Sequence, residues 1–278
     1  MYRNFKSNLL LNNGVEIPRL GLGTWPVRGK ECSHSVTYAL THGYDMIDTA
    51  QDYSNERDVG LGWKASGRPR GHLFITTKIG NSNQGYELSQ KTFKRSLVDL
   101  QTDFVDLLLI HWPDINHFDK TVETWQALIK LQEQGLCRSI GVSNFTIELI
   151  EALTAQIDVI PAVNQVEFHT FLYQKKLLDY CNEKQIQIEA YSPLARGKFL
   201  DNEELQKIAD KHGKTTGQVM LSWGIHHDLV VIPKSTRELR IDENADIFFD
   251  LDEEDVKILD NIDLQTRVVR VSWEPPTW

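Results

Sequence analysis

Residues 105–111 have the sequence VDLLLIH, a largely apolar run that ends at a histidine, and residues 74–78, FITTK, end in the same way at a lysine. Short runs of this kind are typical of parallel strands, which are covered by helices on one side and by a packed interior on the other. A polar residue directly after such a strand lies at its carboxyl end, where a (β/α)8 barrel carries its chemistry. These stretches predict a parallel α/β fold with a functional site at one end.

The same arrangement recurs along the chain, where seven apolar runs end at polar or reactive residues. These residues are Asp48, Lys78, His111, Ser143 with Asn144, Gln165, Tyr191 and Lys234. Amphipathic stretches with helical spacing alternate with the runs, for example residues 86–101 and 122–134. The regular alternation predicts an α/β (β/α)8 TIM barrel that forms a single domain over residues 1–278.

Two features outside this alternation are predicted near the ends of the chain. Asn12-Asn13-Gly14 lies between alternating apolar residues and predicts a β-hairpin. We expect this hairpin to close the bottom of the barrel ahead of the first strand, residues 19–23. After the last predicted helix, 252–261, we expect an irregular C-terminal tail, in which Trp273 is a candidate lid over the site.

Composition excludes several classes of function. The net charge of −9 opposes nucleic-acid binding, which requires a basic surface. The N-terminus lacks the long apolar segment of a signal peptide, and no run approaches the roughly 20 apolar residues of a membrane span. We therefore expect a cytoplasmic protein without membrane contact. No heptad pattern indicates an oligomer, and a monomer is expected.

The cysteines and histidines do not indicate a metal site. Cys32, Cys137 and Cys181 lack metal-type spacing, and their odd number argues against a disulfide framework. We expect free, buried thiols. His111 and His117 are separated by loop residues without a partnering carboxylate set, so no metal is predicted.

Four polar side chains, three of them at predicted strand ends, suggest a proton donor for a reacting oxygen. Tyr53 lies five residues after Asp48, in the loop above the same strand. A phenol titrates near pH 10, and a nearby ammonium lowers its pKa. Lys78 can provide that ammonium, Asp48 can hold it through a charge-assisted hydrogen bond, and His111 can orient a carbonyl oxygen. The set predicts a phenol that acts as general acid toward a developing alkoxide.

Each of these residues also has a structural explanation. An aspartate or lysine at a strand end often forms an ion pair, and a histidine after an apolar run is often part of the core. Their joint position at successive strand ends favours the catalytic interpretation.

The chain resembles the aldo-keto reductase family over essentially its full length. The matching stretches are residues 43–50 (GYDMIDTA), 53–56 (YSNE), 75–78 (ITTK), 108–113 (LLIHWP), 141–145 (GVSNF), 164–167 (NQVE), 190–194 (AYSPL) and 231–235 (VIPKS). The short loops and tail are most similar to the bacterial and protist branch that includes 2,5-diketogluconate reductases and methylglyoxal-type reductases.

The resemblance implies NADPH-dependent reduction of aldehydes or ketones to alcohols, with a small carbonyl compound as substrate. Tyr53 would donate the proton, Lys78 and Asp48 would tune it, and His111 would position the carbonyl. The residues implied to line the substrate pocket are Trp25, Tyr53, His111 and Trp112.

The resemblance also implies a set of cofactor contacts. Tyr191 would stack beneath the nicotinamide, an arrangement that suits two flat rings. The carboxamide of the nicotinamide would bind Ser143, Asn144 and Gln165. The loop after Tyr191 would contribute Ser192 and Leu194 to the cofactor site. The 2′-phosphate would bind Lys234, Ser235, Thr236 and Arg240, which favours NADP over NAD, and the adenine would contact Glu243 and Asn244.

Three stretches depart from expected patterns. Asp45 stands where many family members have arginine, and Ala195 where glycine is frequent. Gly21-Leu22-Gly23 begins like a dinucleotide-binding fingerprint, but Pro26 occupies the position of the third glycine. We interpret 19–23 as a strand that brings Trp25 to the pocket rim.

Other functions remain open at this stage. Lys78 could form a Schiff base, although a carboxylate partner would oppose the lowered pKa that this chemistry needs. A non-catalytic NADPH-binding regulatory protein, or a structural protein derived from a reductase, could have the same fold.

Overall fold

The computed structural model of the chain describes residues 8–262 and 264–270. Within them, two antiparallel strands precede eight parallel strands that alternate with helices. The strands are β1 Asn8–Leu10, β2 Glu16–Pro18, β3 Leu22–Gly23, β4 Met46–Asp48, β5 Phe74–Ile79, β6 Val105–Ile110, β7 Cys137–Ser143, β8 Val163–Glu167, β9 Gln187–Tyr191 and β10 Val230–Val231. The helices are α1 Gly29–Thr41, α2 Glu56–Ala65, α3 Tyr86–Asp99, α4 Phe118–Glu133, α5 Ile147–Thr154, α6 Lys175–Glu183, α7 Glu203–His212, α8 Thr216–His226, α9 Glu238–Ala245 and α10 Glu253–Asn261.

The eight parallel strands pair in chain order from β3 to β10, and the first and last strands close the barrel. The Gly21 amide donates to the Val231 carbonyl at 3.0 Å, and the Gly23 amide to the Pro233 carbonyl at 3.1 Å. A β-carbon at Gly23 would lie 2.8 Å from the Ile232 carbonyl oxygen, so a glycine is needed for this close approach. The predicted (β/α)8 barrel is confirmed. The first barrel strand is shorter than the predicted 19–23: it comprises Leu22–Gly23, preceded by an isolated bridge from Leu20 to Val231.

Apolar side chains form two cores. The larger lies between the strands and the surrounding helices, and β6 contributes Val105, Leu108 and Ile110 to it. The smaller fills the barrel interior with Met46, Phe74, Leu107 and Leu109 among others. Layers of large side chains inside a barrel make it a packed core rather than a channel.

The N-terminal hairpin, β1 and β2, covers the bottom of the barrel as predicted. Its Asn13 side-chain amide donates to the Arg138 carbonyl at 3.1 Å, at the start of β7. Asn12 reaches the Pro161 carbonyl, just before β8, at the same distance. Leu11 and Ile17 of the hairpin join the interior core. The amino ends of the strands are therefore closed, and the carboxyl ends remain for a site.

Local sequence explains several helix boundaries. The Asn202 side chain accepts hydrogen bonds from two backbone amides at the start of α7, and Gly213 ends that helix in the left-handed conformation. Thr215 and Gln218 form a capping box at the start of α8.

Several predicted boundaries differ from the structure, two of them by more than one residue near the site. Helix α4 begins at Phe118, four residues before the predicted start at 122, because Phe118 continues the apolar face of Val122 and Trp125 by one turn and packs against the larger core. Strand β8 continues past Gln165 to Glu167. The two oxygens of Glu167 accept the backbone amides of Val268 and Val269, which fastens the C-terminal segment to the barrel.

The predicted tail lies partly outside the described residues. Residues 264–270 contain no helix or strand, in agreement with an irregular segment, whereas Trp273 falls outside the described ranges. The three cysteines are free and buried, as expected. Among the helices that the structure describes, none is long and apolar enough to span a membrane. Residues 8–262 and 264–270 include no group of three histidine, cysteine or acidic side chains that could hold a metal ion.

Candidate active site

Neighbouring strands bring three of the predicted residues together at the open end of the barrel. Asp48 is the last residue of β4, Lys78 is the next-to-last residue of β5, and His111 directly follows β6. Parallel pairing places the carboxyl ends of these strands side by side. All three side chains are buried.

The Lys78 ammonium is held at the centre of this group. Its Nζ donates to the two carboxylate oxygens of Asp48 at 2.7 and 2.8 Å and to the Thr49 carbonyl at 2.8 Å. Gln165 in turn donates to Asp48 Oδ2 at 2.8 Å. Burial alone would lower the pKa of Lys78, but Asp48 and Tyr53 raise it above its ordinary value. Lys78 is therefore a fixed positive charge at neutral pH.

Tyr53 lies in a single helical turn, Gln51–Tyr53, above β4, and its hydroxyl is 3.5 Å from Lys78 Nζ. The ammonium also lies 5.0 Å from the centre of the Tyr53 ring. The sequence predicted that the pKa of this phenol is lowered. This prediction is wrong, because the net shift of the pKa is upward. Burial raises the pKa of Tyr53 more than Lys78 lowers it. The phenol is thus protonated at neutral pH and lies next to a cation that can stabilise its conjugate base.

His111 packs edge-to-face against Tyr53, with ring centres 5.5 Å apart. Its Nδ1 lies 3.0 Å from Asp52 Oδ2, an interaction that the sequence analysis did not predict. Burial lowers the pKa of His111 below its ordinary value, and Lys78 acts in the same direction. The imidazole is mostly neutral at pH 7. The Tyr53 phenol therefore has the Lys78 ammonium near its hydroxyl and the His111 imidazole at the edge of its ring.

A second hydrogen-bonded group lies on the adjacent strands β7 to β9. Tyr191 donates from its hydroxyl to Asn144 Oδ1 at 2.8 Å, and Asn144 donates to the His111 carbonyl at 2.9 Å. Ser143 donates to the Gln165 carbonyl at 2.8 Å. Asn144 has φ 65°, a left-handed conformation that asparagine tolerates better than most residues. This network connects the residues implied to bind a nicotinamide with His111 and Asp48.

Comparison with known proteins shows the family to which the chain belongs. The family model described as the aldo/keto reductase family matches residues 19–264. The chain belongs to the aldo/keto reductase family. It is 49% identical over 270 residues to the glyoxal reductase of Bacillus subtilis (strain 168), covering 96% of this chain and 97% of the relative. This similarity to a bacterial reductase agrees with the branch that the sequence indicated, and it makes the chain an oxidoreductase.

Solved structures of aldo-keto reductases have the same fold. The structure of an aldo/keto reductase from Brucella melitensis has a TM-score of 0.90 and 44% identity, over 92% of this chain and 99% of that one. An aldo-keto reductase of Bombyx mori, solved in complex with NADP, has a TM-score of 0.89 and 34% identity, over 96% of this chain and 95% of that one.

In this aldo-keto reductase the basic segment after β10 leads into α9. Lys234 is exposed, Ser235 is buried and Thr236 is half-buried, and all three precede the helix. Arg240 lies exposed in the first turn of α9. Two basic side chains at a helix N-terminus, where backbone amides also point outward, form an arrangement that suits a phosphate group.

Glu243 and Asn244, the predicted adenine contacts, lie in the later part of α9 and are held by packing within the protein. A Glu243 carboxylate oxygen accepts the Thr215 hydroxyl at 2.5 Å, which ties α9 to the start of α8. Asn244 is buried in the same helix. The structure therefore gives Glu243 a role in packing, and its predicted contact with adenine stays a prediction.

The loop after β9 crosses toward the rim of the barrel. Ser192, Ala195 and Arg196 have positive φ angles, and Leu194 is half-buried between them. Such a conformation at Ala195 explains why glycine is frequent there in the family. The Arg196 guanidinium lies 4.6 Å from the centre of the Trp25 ring. The loop thus contacts a residue predicted to border the substrate.

The two tryptophans predicted to line the substrate pocket differ in exposure. Trp25 is 45% exposed at the rim, whereas Trp112 is buried and its carbonyl accepts a hydrogen bond from the Gln84 side chain at 2.7 Å.

Asp45, the other departure from the family pattern, forms an ion pair with Arg68 at 2.6 Å. The aspartate found in place of arginine therefore has its own cationic partner.

Two residues near the site were not predicted. Asp52 directly precedes Tyr53 in the sequence, and its position next to the candidate acid was the available signal. Glu189 lies inside the barrel opposite Gln165 in the strand register, and an acidic residue within the buried strand 187–191 could have indicated it.

Proposed function

We propose that this protein reduces a small aldehyde or ketone to an alcohol with NADPH as the reductant. NADPH, when bound, provides the hydride that reduces the carbonyl carbon. Tyr53 transfers its hydroxyl proton to the carbonyl oxygen, so that the product is a neutral alcohol. The observation that carries the proposal is the contact of a protonated phenol with the Lys78–Asp48 ion pair.

The four residues have distinct roles in this proton transfer. Burial keeps the Tyr53 proton in place until a carbonyl oxygen gains negative charge. The Lys78 ammonium then stabilises the phenolate that remains, because opposite charges attract strongly in a buried site. Asp48 fixes the ammonium in position. His111 lies beside the Tyr53 ring and orients the carbonyl oxygen when its Nε2 carries a proton.

The residues present fit a nicotinamide cofactor. The Tyr191 ring is half-buried, and its hydroxyl is tethered to Asn144, which presents the ring as a fixed aromatic surface. Lys234 and Arg240 provide positive charge for the 2′-phosphate that distinguishes NADPH from NADH. The Bombyx mori aldo-keto reductase that was solved with NADP supports this choice.

The structure disfavours a Schiff-base mechanism at Lys78. A nucleophilic lysine must lose its proton, whereas the pKa of Lys78 is raised here by Asp48 and Tyr53. Trapping with borohydride in the presence of substrate should therefore leave the chain unmodified. The glyoxal reductase among the relatives suggests small dicarbonyl compounds as the first substrates to try.

The proposal is tested by NADPH consumption with purified protein. We expect turnover with at least one of glyoxal, methylglyoxal, a nitrobenzaldehyde and a diketo-sugar acid. Tyr53→Phe, which removes only the acidic hydroxyl, should lower kcat by a factor of about 10²–10⁴. Tyr180→Phe on α6 is the matched control and should retain full activity.

Two outcomes would contradict the proposal. Equal turnover by the wild type and Tyr53→Phe would exclude the phenol as the acid. Tight NADPH binding, measured by fluorescence, without turnover of any carbonyl compound would favour a regulatory, nucleotide-binding role.

A further inference from the structure

The Asp52–His111 pair has a consequence for substrate binding that goes beyond the four residues above. We propose that Asp52 is a positioning residue that fixes a proton on His111 Nδ1, so that Nε2 donates to a carbonyl oxygen only when the ring is doubly protonated. This inference rests on the proposed function, because it assigns the carbonyl as the ligand of Nε2.

The structure is built to hold the Asp52 carboxylate against the imidazole. Oδ2 of Asp52 lies 3.0 Å from His111 Nδ1 and accepts a long hydrogen bond of 3.4 Å from the Asn81 amide. Oδ1 occupies the space next to Gly80, where the β-carbon of any other residue would overlap it. A glycine thus leaves room for the carboxylate at the end of β5.

The protonation of the pair follows from these contacts. Partial burial raises the pKa of Asp52, whose side chain is 40% exposed, but the contacts with His111, the Asn81 amide and Lys78 together lower it below its ordinary value. An ionised carboxylate only accepts hydrogen bonds, so His111 Nδ1 must carry the proton. In a neutral imidazole Nε2 then has a lone pair and cannot donate. It becomes a donor when the ring gains its second proton.

The charged groups around His111 come from three elements. Asp52 lies in the turn above β4, Asp48 ends β4, and Lys78 lies in β5. The same turn contributes the titratable Tyr53, whose neutral ring packs edge-to-face against the imidazole. The two carboxylates favour the imidazolium, whereas burial and Lys78 oppose it, and the net effect is a lowered pKa. Above that pKa the doubly protonated fraction falls about tenfold for each pH unit. We therefore expect kcat/KM for a carbonyl substrate to rise as the pH falls toward the pKa of His111.

Two variants remove the constraint by different routes. In Asp52→Asn the amide can accept from Nδ1 or donate to it, which permits the neutral tautomer with the proton on Nε2. Gly80→Ala displaces the Asp52 carboxylate while leaving its charge in the chain, and φ −67° at this position suits alanine. Asp103→Asn, before β6 at the opposite end of the barrel, is the control for loss of one negative charge.

The measurements are the tautomer of His111 and the pH profile of kcat/KM. In the wild type at pH above about 7, NMR of the histidine ring nitrogens should show the proton on Nδ1. Asp52→Asn and Gly80→Ala should both show increased protonation of Nε2. In both, the roughly tenfold change in kcat/KM per pH unit should flatten to about twofold. Asp103→Asn should match the wild type in both measurements.

Results that contradict the role of Asp52 can be distinguished from results that contradict carbonyl reduction. Protonated Nε2 in the neutral wild type, or a pH profile of Asp52→Asn that superimposes on the wild-type profile, would overturn the inference. Absence of turnover with every carbonyl compound would instead contradict the proposed reduction, while the tautomer measurement would still decide whether Asp52 controls His111.

Discussion

At the scale of single residues, the buried charge balance around Lys78 involves two acidic side chains. Asp48 is bonded to the ammonium, whereas neither oxygen of Glu189 has a hydrogen-bond partner among the residues that the structure describes. Gln165, opposite Glu189 in the register, donates to Asp48 instead. Burial and the nearby Asp48 carboxylate raise the pKa of Glu189 to about 8. The residue is thus a neutral acid at pH 7, which avoids an uncompensated negative charge in the barrel.

This assignment predicts a pH-dependent stability. The unfolded Glu189 carboxyl titrates near 4.3, so the folded state holds its proton more tightly. The stability that this preference contributes is fully present below about pH 4 and is lost as the pH rises to about 8. The glutamine of the Glu189→Gln variant cannot ionise. The free energy of unfolding of this variant, relative to that of the wild type, should therefore increase by at least about 1 kcal/mol between pH 5 and pH 8. The gain should level off at higher pH.

Urea unfolding of both proteins at several pH values provides the measurement. Glu151→Gln on α5 changes an exposed glutamate in the same way, and its difference from the wild type should not vary over this range. A difference for Glu189→Gln that also stays constant with pH would show that Glu189 is ionised in the folded protein at pH 5.

At the scale of elements, cofactor choice depends on the connection from β10 to α9. Lys234 precedes α9, and Arg240 lies in its first turn, so both place positive charge near outward-pointing backbone amides. A phosphate monoester carries about two negative charges at neutral pH and accepts several charge-assisted hydrogen bonds. NADH lacks the 2′-phosphate and therefore has no group that this segment can bind.

The element should therefore discriminate between the two nucleotides. Arg240→Ala is expected to weaken NADPH binding by about tenfold or more, because a hydrogen bond between charged groups contributes about 1.5–3 kcal/mol. NADH binding should change by less than about twofold. Fluorescence titrations with both nucleotides test this, with Arg57→Ala on α2 as a control for loss of an exposed arginine. Equal weakening of both nucleotides would place the 2′-phosphate elsewhere.

The whole molecule shows which features a sequence can specify. The strand ends were predictable because each apolar run ends at a polar residue, and the barrel follows from their repetition. The Asp52–His111 contact was not, since it depends on a loop conformation and on the space beside Gly80. The net pKa shift of Tyr53 was predicted in the wrong direction, because a neighbouring lysine is visible in a sequence and the extent of burial is not.

The two ends of the barrel have separate physical roles at this scale. The catalytic candidates lie at the carboxyl ends of the strands, and the hairpin of β1 and β2 closes the amino ends. Ile17 is 0% exposed and packs into the interior core, whereas Leu10 of the same hairpin is 72% exposed. Stability and activity should therefore respond to different substitutions.

Truncation of the buried hairpin side chain should destabilise the barrel without altering its chemistry. Ile17→Ala is expected to lower the free energy of unfolding by about 2–4 kcal/mol, since it removes buried methyl groups and leaves a cavity. Leu10→Ala is the matched control and should change it by less than about 0.5 kcal/mol. Both variants should retain the wild-type kcat under conditions in which they are folded, because the hairpin lies at the end opposite Tyr53. Unfolding by urea and carbonyl turnover on the same samples test the separation. A loss of kcat in folded Ile17→Ala would show that packing at the bottom of the barrel determines the geometry of the strand ends at the top.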